Sequence, residues 1–305
     1  MLIAVIVVGS LLLLFFFLEL FLYLYTFYTP KKGQNNEYKF TERSLKEYDY
    51  DFLAKMVDRL CSYQYEDVYI KSHDRKRLHA KLYRNDKSDT VCIMIHGYRG
   101  TARRDFSGGA YEMIKRGFNV LLVDHRGHDL SKGHTITFGV REKLDARSWI
   151  DYVRKTFGED KRIVLVGISM GGATALLTSD YLSEKDLVIA DCPYTKPKEM
   201  LLDFIRKISK KMYKLFYNLI NLSLIIFAHT NLNKDDADKV VSNAKCKILI
   251  IHGDNDSLVP YRSSMSLYEK HQDKIRYELF KGAEHGLCYM TDTKRYNSVV
   301  DEFVK

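Results

Sequence analysis

Five short apolar runs recur along the chain, at 91–95, 120–123, 163–166, 187–190 and 248–251. Segments that are apolar throughout suit strands buried on both faces by helices. A sixth stretch differs: Leu78, Ala80 and Leu82 alternate with His79 and Lys81, the pattern of an edge or half-buried antiparallel strand. A further strand is expected near 276–280. Helical stretches separate the strands, at 106–116, 140–157, 171–182, 261–271 and 293–304. Strand then helix, repeated, implies right-handed crossovers and a mostly parallel sheet, an α/β fold. One segment breaks the rhythm. Residues 195–243 are too long for a simple crossover and read as an insertion of helices, a lid, rich in Lys, Leu, Ile, Phe and Tyr.

Ahead of this pattern, residues 2–28 are almost wholly apolar, interrupted by Gly9, Ser10, Glu19 and Thr26. As a helix they can cross a hydrocarbon core of about 30 Å. Tyr23, Tyr25 and Tyr28 gather at the end of the run, where amphipathic rings favour the headgroup level, and Lys31 and Lys32 follow. A cleaved secretory signal is the rival reading; it lacks a basic n-region and a small-residue cleavage pattern, so a retained anchor is expected. Glu19 is costly at that depth and is expected to be protonated, paired, or tolerated by snorkelling. Lys31, Lys32, Lys39, Arg43 and Lys46 after the span, against no basic residue before it, favour a cytoplasm-facing domain. The expected layout is an anchor over 1–29, a linker and juxtamembrane helix over 30–60, and an α/β domain over 61–305. With 305 residues, 46% hydrophobic and 29% charged, the chain can bury one large core or two small ones.

Chemistry-bearing residues collect where the strands end. The run at 91–95 leads into His96-Gly97-Tyr98-Arg99-Gly100, and that at 120–123 into Asp124-His125-Arg126-Gly127-His128. The run at 163–166 leads into Gly167-Ile168-Ser169-Met170-Gly171, and that at 248–251 into His252-Gly253-Asp254-Asn255-Asp256. Gly282-Ala283-Glu284-His285-Gly286 follows the last strand. In an open parallel sheet, functional groups lie outside the carboxyl ends of the strands. A serine between glycines, on a turn from strand to helix, suggests a nucleophile elbow. Alone, this five-residue pattern is one that chance supplies; the loops around it provide its partners.

Taken together these loops resemble the α/β-hydrolase family, from about residue 65 to the C-terminus. The chain is most similar to its membrane-anchored bacterial branch, related to serine aminopeptidases and monoacylglycerol lipases. The resemblance implies the order nucleophile, acid, base for Ser169, Asp256 and His285. His285 would take the serine proton, and Asp256 would hold the tautomer and stabilise the imidazolium. The backbone N–H groups of Met170 and Tyr98 would form the oxyanion hole.

Other residues compete for these roles. Asp254 rivals Asp256, since turns rich in Asp and Asn are common, and the resemblance selects Asp256 as the acid two residues before Leu258-Val259-Pro260. His271 also follows Asp256, but on a predicted helix, where an exposed histidine is the ordinary explanation. His96 and His252 read as structural histidines, and Asp124 and Arg126 as braces for their loop by hydrogen bonds and an ion pair. Where family members continue arginine-glycine-histidine with glycine, this chain has Asp129. Glu142, Asp145 and Asp151 lie on a predicted helix as solvated or capping residues.

No metal or cofactor is expected. No histidine pair has helix spacing with an adjacent carboxylate, and neither a dinucleotide fingerprint nor a P-loop is present. Five scattered cysteines, Cys61, Cys92, Cys192, Cys246 and Cys288, fit neither a zinc site nor a dense disulfide frame. The net charge of +9 is dispersed among acids, so nucleic acid is not an expected partner, whereas membrane lipid is. The lid residues Met200, Leu201, Phe204, Ile205 and Ile208 recur near helical spacing, either packing on the core or covering an acyl or peptide substrate. The expectation is a membrane-anchored serine hydrolase, esterase or lipase before peptidase. A tethered binding protein without turnover is the alternative from another class.

Overall fold

A computed structural model describes residues 1–30 and 37–305. Lys31, Lys32 and the linker expected over 31–36 lie outside the described residues. Eight strands form one sheet: β1 (Glu66–Lys71), β2 (Arg77–Tyr83), β3 (Thr90–Ile95), β4 (Asn119–Asp124), β5 (Arg162–Ile168), β6 (Leu187–Asp191), β7 (Lys247–Gly253) and β8 (Ile275–Phe280). Their order is β1-β2-β4-β3-β5-β6-β7-β8. β2 is antiparallel to both of its neighbours, and every pair from β4 onward is parallel.

The helices are α1 (Leu2–Thr26), α2 (Glu42–Glu47), α3 (Tyr50–Cys61), α4 (Ala102–Asp105), α5 (Gly109–Lys115), α6 (Glu142–Phe157) and α7 (Met170–Leu176). They continue with α8 (Pro197–Ile208), α9 (Tyr213–Ala228), α10 (Ala237–Asn243), α11 (Arg262–Lys270), α12 (Cys288–Thr291) and α13 (Thr293–Val304).

Pleating divides each apolar run between two cores. Val91, Ile93, Ile95, Ile163, Leu165, Ile248 and Ile250 point to the layer holding Trp149 of α6 and Leu176 of α7. Cys92, Met94, Val164, Val166, Leu249 and Ile251 point to the opposite layer, with Leu60 of α3 and Val300 of α13. Both faces of the parallel strands are therefore dry, which explains why these runs show no alternation.

Three expectations change. β2 is neither an edge nor half-buried, because β1 covers it; His79 and Lys81 are buried, with His79 bonded to Asp67 and Asp124, and Lys81 paired with Asp129 at 3.1 Å. β1 carries Glu66, Asp67 and Lys71 toward solvent and has no apolar run to reveal it. The juxtamembrane helix is two helices, interrupted at Tyr48 and Asp49. The helix expected over 171–182 stops at Leu176, where Thr174, Thr178 and Ser179 bond back to carbonyls three or four residues earlier.

The insertion between β6 and β7 holds α8, α9 and α10. Leu201, Ile205, Tyr217 and Leu224 of α8 and α9 make a third cluster with Phe27, Phe138 and Met170, while Ala237 and Val241 of α10 belong to the main core. Of the expected lid residues, Phe204 and Ile208 face outward. α1 is long and apolar enough to cross a membrane, and its last turns pack on α9, with Phe227 against both Phe16 and Tyr23. Glu19 is buried and has no hydrogen-bond partner among the described residues.

Candidate active site

Ser169 sits between β5 and α7 with φ 56° and ψ −115°, a strained conformation for a residue with a side chain. The strain is held by close packing. A Cβ on Gly171 would stand 1.8 Å from the Ile95 carbonyl oxygen, and one on Gly167 would stand 2.1 Å from that of Gly171. Only glycine lets α7 begin this close to β3 and β5. The Ser169 N–H donates to Asp191 O at 2.8 Å, fixing the turn to the end of β6.

The Ser169 hydroxyl lies 2.8 Å from His285 Nε2, and His285 Nδ1 lies 2.7 Å from Asp256 Oδ2. A carboxylate only accepts, so Nδ1 carries the proton and donates to Asp256, leaving Nε2 free to accept from the serine. The three side chains come from the ends of β5, β7 and β8, so the parallel sheet brings together residues separated by up to 116 positions. The Asp256 side chain is wholly buried, and its Oδ1 accepts from the N–H groups of Leu258 and Val259 at 2.9 and 2.7 Å. Burial alone would raise this carboxyl; hydrogen bonds from His252 and His285 outweigh it and hold Asp256 far below the usual carboxylate range.

The competitors lie elsewhere. Asp254 accepts the Gly282 N–H at 2.6 Å as a turn residue. His271 caps α11 and bonds Asp238 at 2.7 Å, so it is partnered where exposure was expected. His96 Nδ1 donates to Gly97 O at 2.8 Å while its Nε2 accepts the His125 N–H at 3.1 Å, and burial pushes its pKa well below the ordinary value, helped by the nearby His125 and His128 imidazoles. Locked on both nitrogens, His96 shapes the loop and is unable to exchange protons with Ser169.

Sequence reasoning missed several supports. His252 is a buried structural histidine with Nδ1 on Ser264 Oγ at 2.8 Å and Nε2 on Val259 O at 3.0 Å, and its Nε2 also lies 3.2 Å from Asp256 Oδ2, which makes it a second imidazole on the same carboxylate. Asp105 accepts the Gly97 N–H at 3.0 Å. The first pair is four residues apart along the chain and the second eight, but neither spacing by itself marks a contact. Glu142 and Asp145 are not solvated: Glu142 accepts from Thr137 and Gly139, and Asp145 makes a bidentate pair with Arg126 at 2.6 Å. Arg126 thus braces its loop through Asp145, while Asp124 does so through His79. Asp151, by contrast, is exposed and accepts from Tyr181. Asp129 takes φ 39°, the conformation that favours glycine, and pairs with Lys81.

Met170 follows the serine as the first residue of α7, whose N–H lies beyond the reach of intrahelical acceptors, and Tyr98 lines the same cavity as Ser169. A cavity of about 400 Å³ opens beside Ser169 and His285 and is also lined by Gly97, Tyr98, Leu53 and Met56. Leu53 and Met56 belong to α3, so the juxtamembrane segment supplies a wall of the cavity, a role its sequence did not signal. Cys192, Asp256 and His285 could approach a metal together. His285 Nε2 is already engaged by Ser169, however, and burial raises the Cys192 thiol well above its ordinary pKa, which disfavours the thiolate a metal needs. The donor set suits proton transfer better than metal binding.

Residues 86–244, more than half of the chain, match the family model described as serine aminopeptidase, S33. A Bacillus subtilis relative, the uncharacterized protein YqkD, is 28% identical over 190 residues, covering 62% of each chain. The lysophosphatidylserine lipase ABHD12 of Danio rerio is 24% identical over 191 residues, covering 60% of this chain and 47% of its own. The matches thus span less than two thirds of these two relatives. Among solved structures, the Pyrococcus furiosus esterase Pf2001 has a similar fold, with a TM-score of 0.64 at 24% identity over 80% of this chain and 91% of its own. The strand order, the strained serine and the matched residues lead to one conclusion: the chain belongs to the serine aminopeptidase S33 family and has the α/β-hydrolase fold.

Proposed function

We propose that this protein is a membrane-associated ester hydrolase in which Ser169 forms an acyl-enzyme. The observation that carries the proposal is the continuous hydrogen-bonded line from Ser169 Oγ through His285 to Asp256. A serine hydroxyl is a poor nucleophile at neutral pH, and His285 Nε2 is in position to take its proton as Oγ attacks a carbonyl carbon. Asp256 stabilises the imidazolium so formed. The backbone N–H groups of Tyr98 and Met170 then meet the tetrahedral oxyanion, each such donor contributing about 3–4 kcal/mol to barrier lowering. His285 returns the proton to the leaving group, and water, deprotonated by the same imidazole, releases the acid.

An apolar cap and an apolar N-terminal helix support a substrate with a hydrophobic acyl part, as does the lipase name of the Danio relative. Carboxylic esters are therefore favoured over peptides. α1 supplies the membrane association, and the basic residues after it favour a cytoplasm-facing domain, which protease digestion of intact cells checks: protection supports it and cleavage from outside opposes it. The enzymatic test is hydrolysis by the full chain of short and long acyl esters, a lysophospholipid and aminoacyl arylamides. Ester turnover that Ser169→Ala abolishes supports the proposal; turnover confined to arylamides would assign a peptidase, and a folded chain without any turnover would favour a binding role.

A further inference from the structure

The end of α1 is bonded directly to the loop that carries one oxyanion donor. The Tyr98 hydroxyl donates to Thr26 O at 2.8 Å. Next to it, Arg99 Nη2 donates to Tyr25 O in the last turn of the helix at 2.9 Å and to Tyr28 O just beyond it at 3.2 Å, placing a guanidinium at the end where the helix dipole favours a cation. Arg99 holds φ 51° to do so, a conformation that costs energy in a residue with a side chain.

Apolar and backbone contacts repeat the connection. The Tyr98 ring stacks on Phe138 with centroids 5.1 Å apart, and Phe138 meets Phe27 edge-on at 5.9 Å. Phe27 is wholly buried in the same cluster as Met170, the other oxyanion donor residue. Backbone bonds from Ile136 N to Phe27 O and from Thr29 N to His134 O, both 2.8 Å, tie the chain after α1 to the segment that supports Phe138. On its far side the loop is pinned at Gly97 by Asp105 and His96. Those pins hold Gly97, whose carbonyl shares a peptide plane with the Tyr98 N–H and also accepts from the Gly100 N–H at 3.1 Å; the Tyr98 side chain adds a second hold, from α1 and Phe138.

Oxyanion donors act only when placed within hydrogen-bond reach of the developing charge, about 2.7–3.1 Å, and a displacement of about 1 Å can cost roughly 10²-fold in rate. We infer that residues 26–28, at the end of the N-terminal apolar helix, are a positioning element of the oxyanion hole, acting through the side chains of Tyr98 and Arg99. The helix then sets turnover as well as location. This inference rests on the reading of Ser169 as nucleophile with Tyr98 N–H as an oxyanion donor.

The test uses the full chain in lipid nanodiscs. Tyr98→Phe keeps the stacked ring and the backbone N–H but removes the bond to Thr26; Arg99→Gln removes the carbonyl cap, and Arg99→Lys restores its charge. The expected result is a kcat lowered about 10-fold for Tyr98→Phe and for Arg99→Gln, with KM within about twofold, partial recovery in Arg99→Lys, and binding of an alkyl boronic acid weakened by the same factor as kcat. A purely structural contact would lower the melting temperature without moving kcat and boronate affinity together. Unchanged kcat in folded Tyr98→Phe and Arg99→Gln, beside an active wild type, overturns the inference alone. An inactive wild type, unlabelled at Ser169 by a fluorophosphonate, overturns the underlying reading as well.

Discussion

Two histidine groups lie beyond the carboxyl ends of well-separated strands, His285 after β8 and His96, His125 and His128 after β3 and β4, and they are built for opposite ends. His285 has one nitrogen on a buried carboxylate and the other on a serine facing a cavity, so its proton can move. His96, His125 and His128 are packed ring against ring, with centroids 4.6 to 6.0 Å apart, and burial pushes the pKa values of all three down. Histidine content therefore says little about catalysis. What separates the two regions is an acceptor-only partner on one side and an exchangeable hydroxyl on the other.

The largest expected effect breaks the first region. Ser169→Ala or His285→Ala should lower kcat by about 10⁴-fold or more, and the double variant should lose little beyond either single one, because the two side chains act as a unit. Ester hydrolysis by the three variants checks this, and additive losses would contradict the proposed line of proton transfer. Asp256→Asn should come next, near 10³–10⁴-fold in kcat, since the amide would favour the wrong tautomer of His285. His252→Asn should cost far less, about 10-fold in kcat, by removing one hydrogen bond to the charged Asp256 carboxylate.

The second region should be sensed in stability. Burial lowers the His128 pKa to about 4, with the nearby His125 adding to the effect, so the unfolded chain binds the proton more tightly. The contribution of this neutral histidine is present above the unfolded pKa of about 6.5 and is lost as pH falls from there toward 4. Asp191, raised by burial to about 6, acts in the opposite sense over a similar window, so the comparison must be made between variants. His128→Gln should flatten the fall in unfolding free energy between about pH 6.5 and 4, measured by denaturant titration; an unchanged slope would show that His128 is not the group being titrated. It should leave kcat within a few-fold of wild type, which sharpens the contrast with His285.

Much of the fold was legible because burial on both faces leaves a signature that is local. The runs at 91–95 and 163–166 could be read as parallel strands since every residue in them faces one dry layer or the other. β1 was not legible, since Glu66, Asp67 and Lys71 serve an exposed edge whose pairing with β2 is a tertiary fact. The site divides the same way. Ser169, Asp256 and His285 stood out at strand ends, whereas the turn that brings His252 onto Asp256, the reach of Asp105 to Gly97 and the α3 wall appear only once the chain has folded. Glu142 and Asp145 were misread because a helical carboxylate usually faces water, and nothing near them announces Thr137 or Arg126 as a buried partner.

The proposed chemistry requires an acyl-enzyme at Ser169. Incubating the full chain with an alkyl fluorophosphonate, then measuring intact mass and mapping the adduct, addresses it directly. One phosphonyl group on Ser169, missing in Ser169→Ala and strongly slowed in His285→Ala, is the predicted result. A folded wild-type chain that stays unmodified, or that carries the adduct at another residue, would contradict the account.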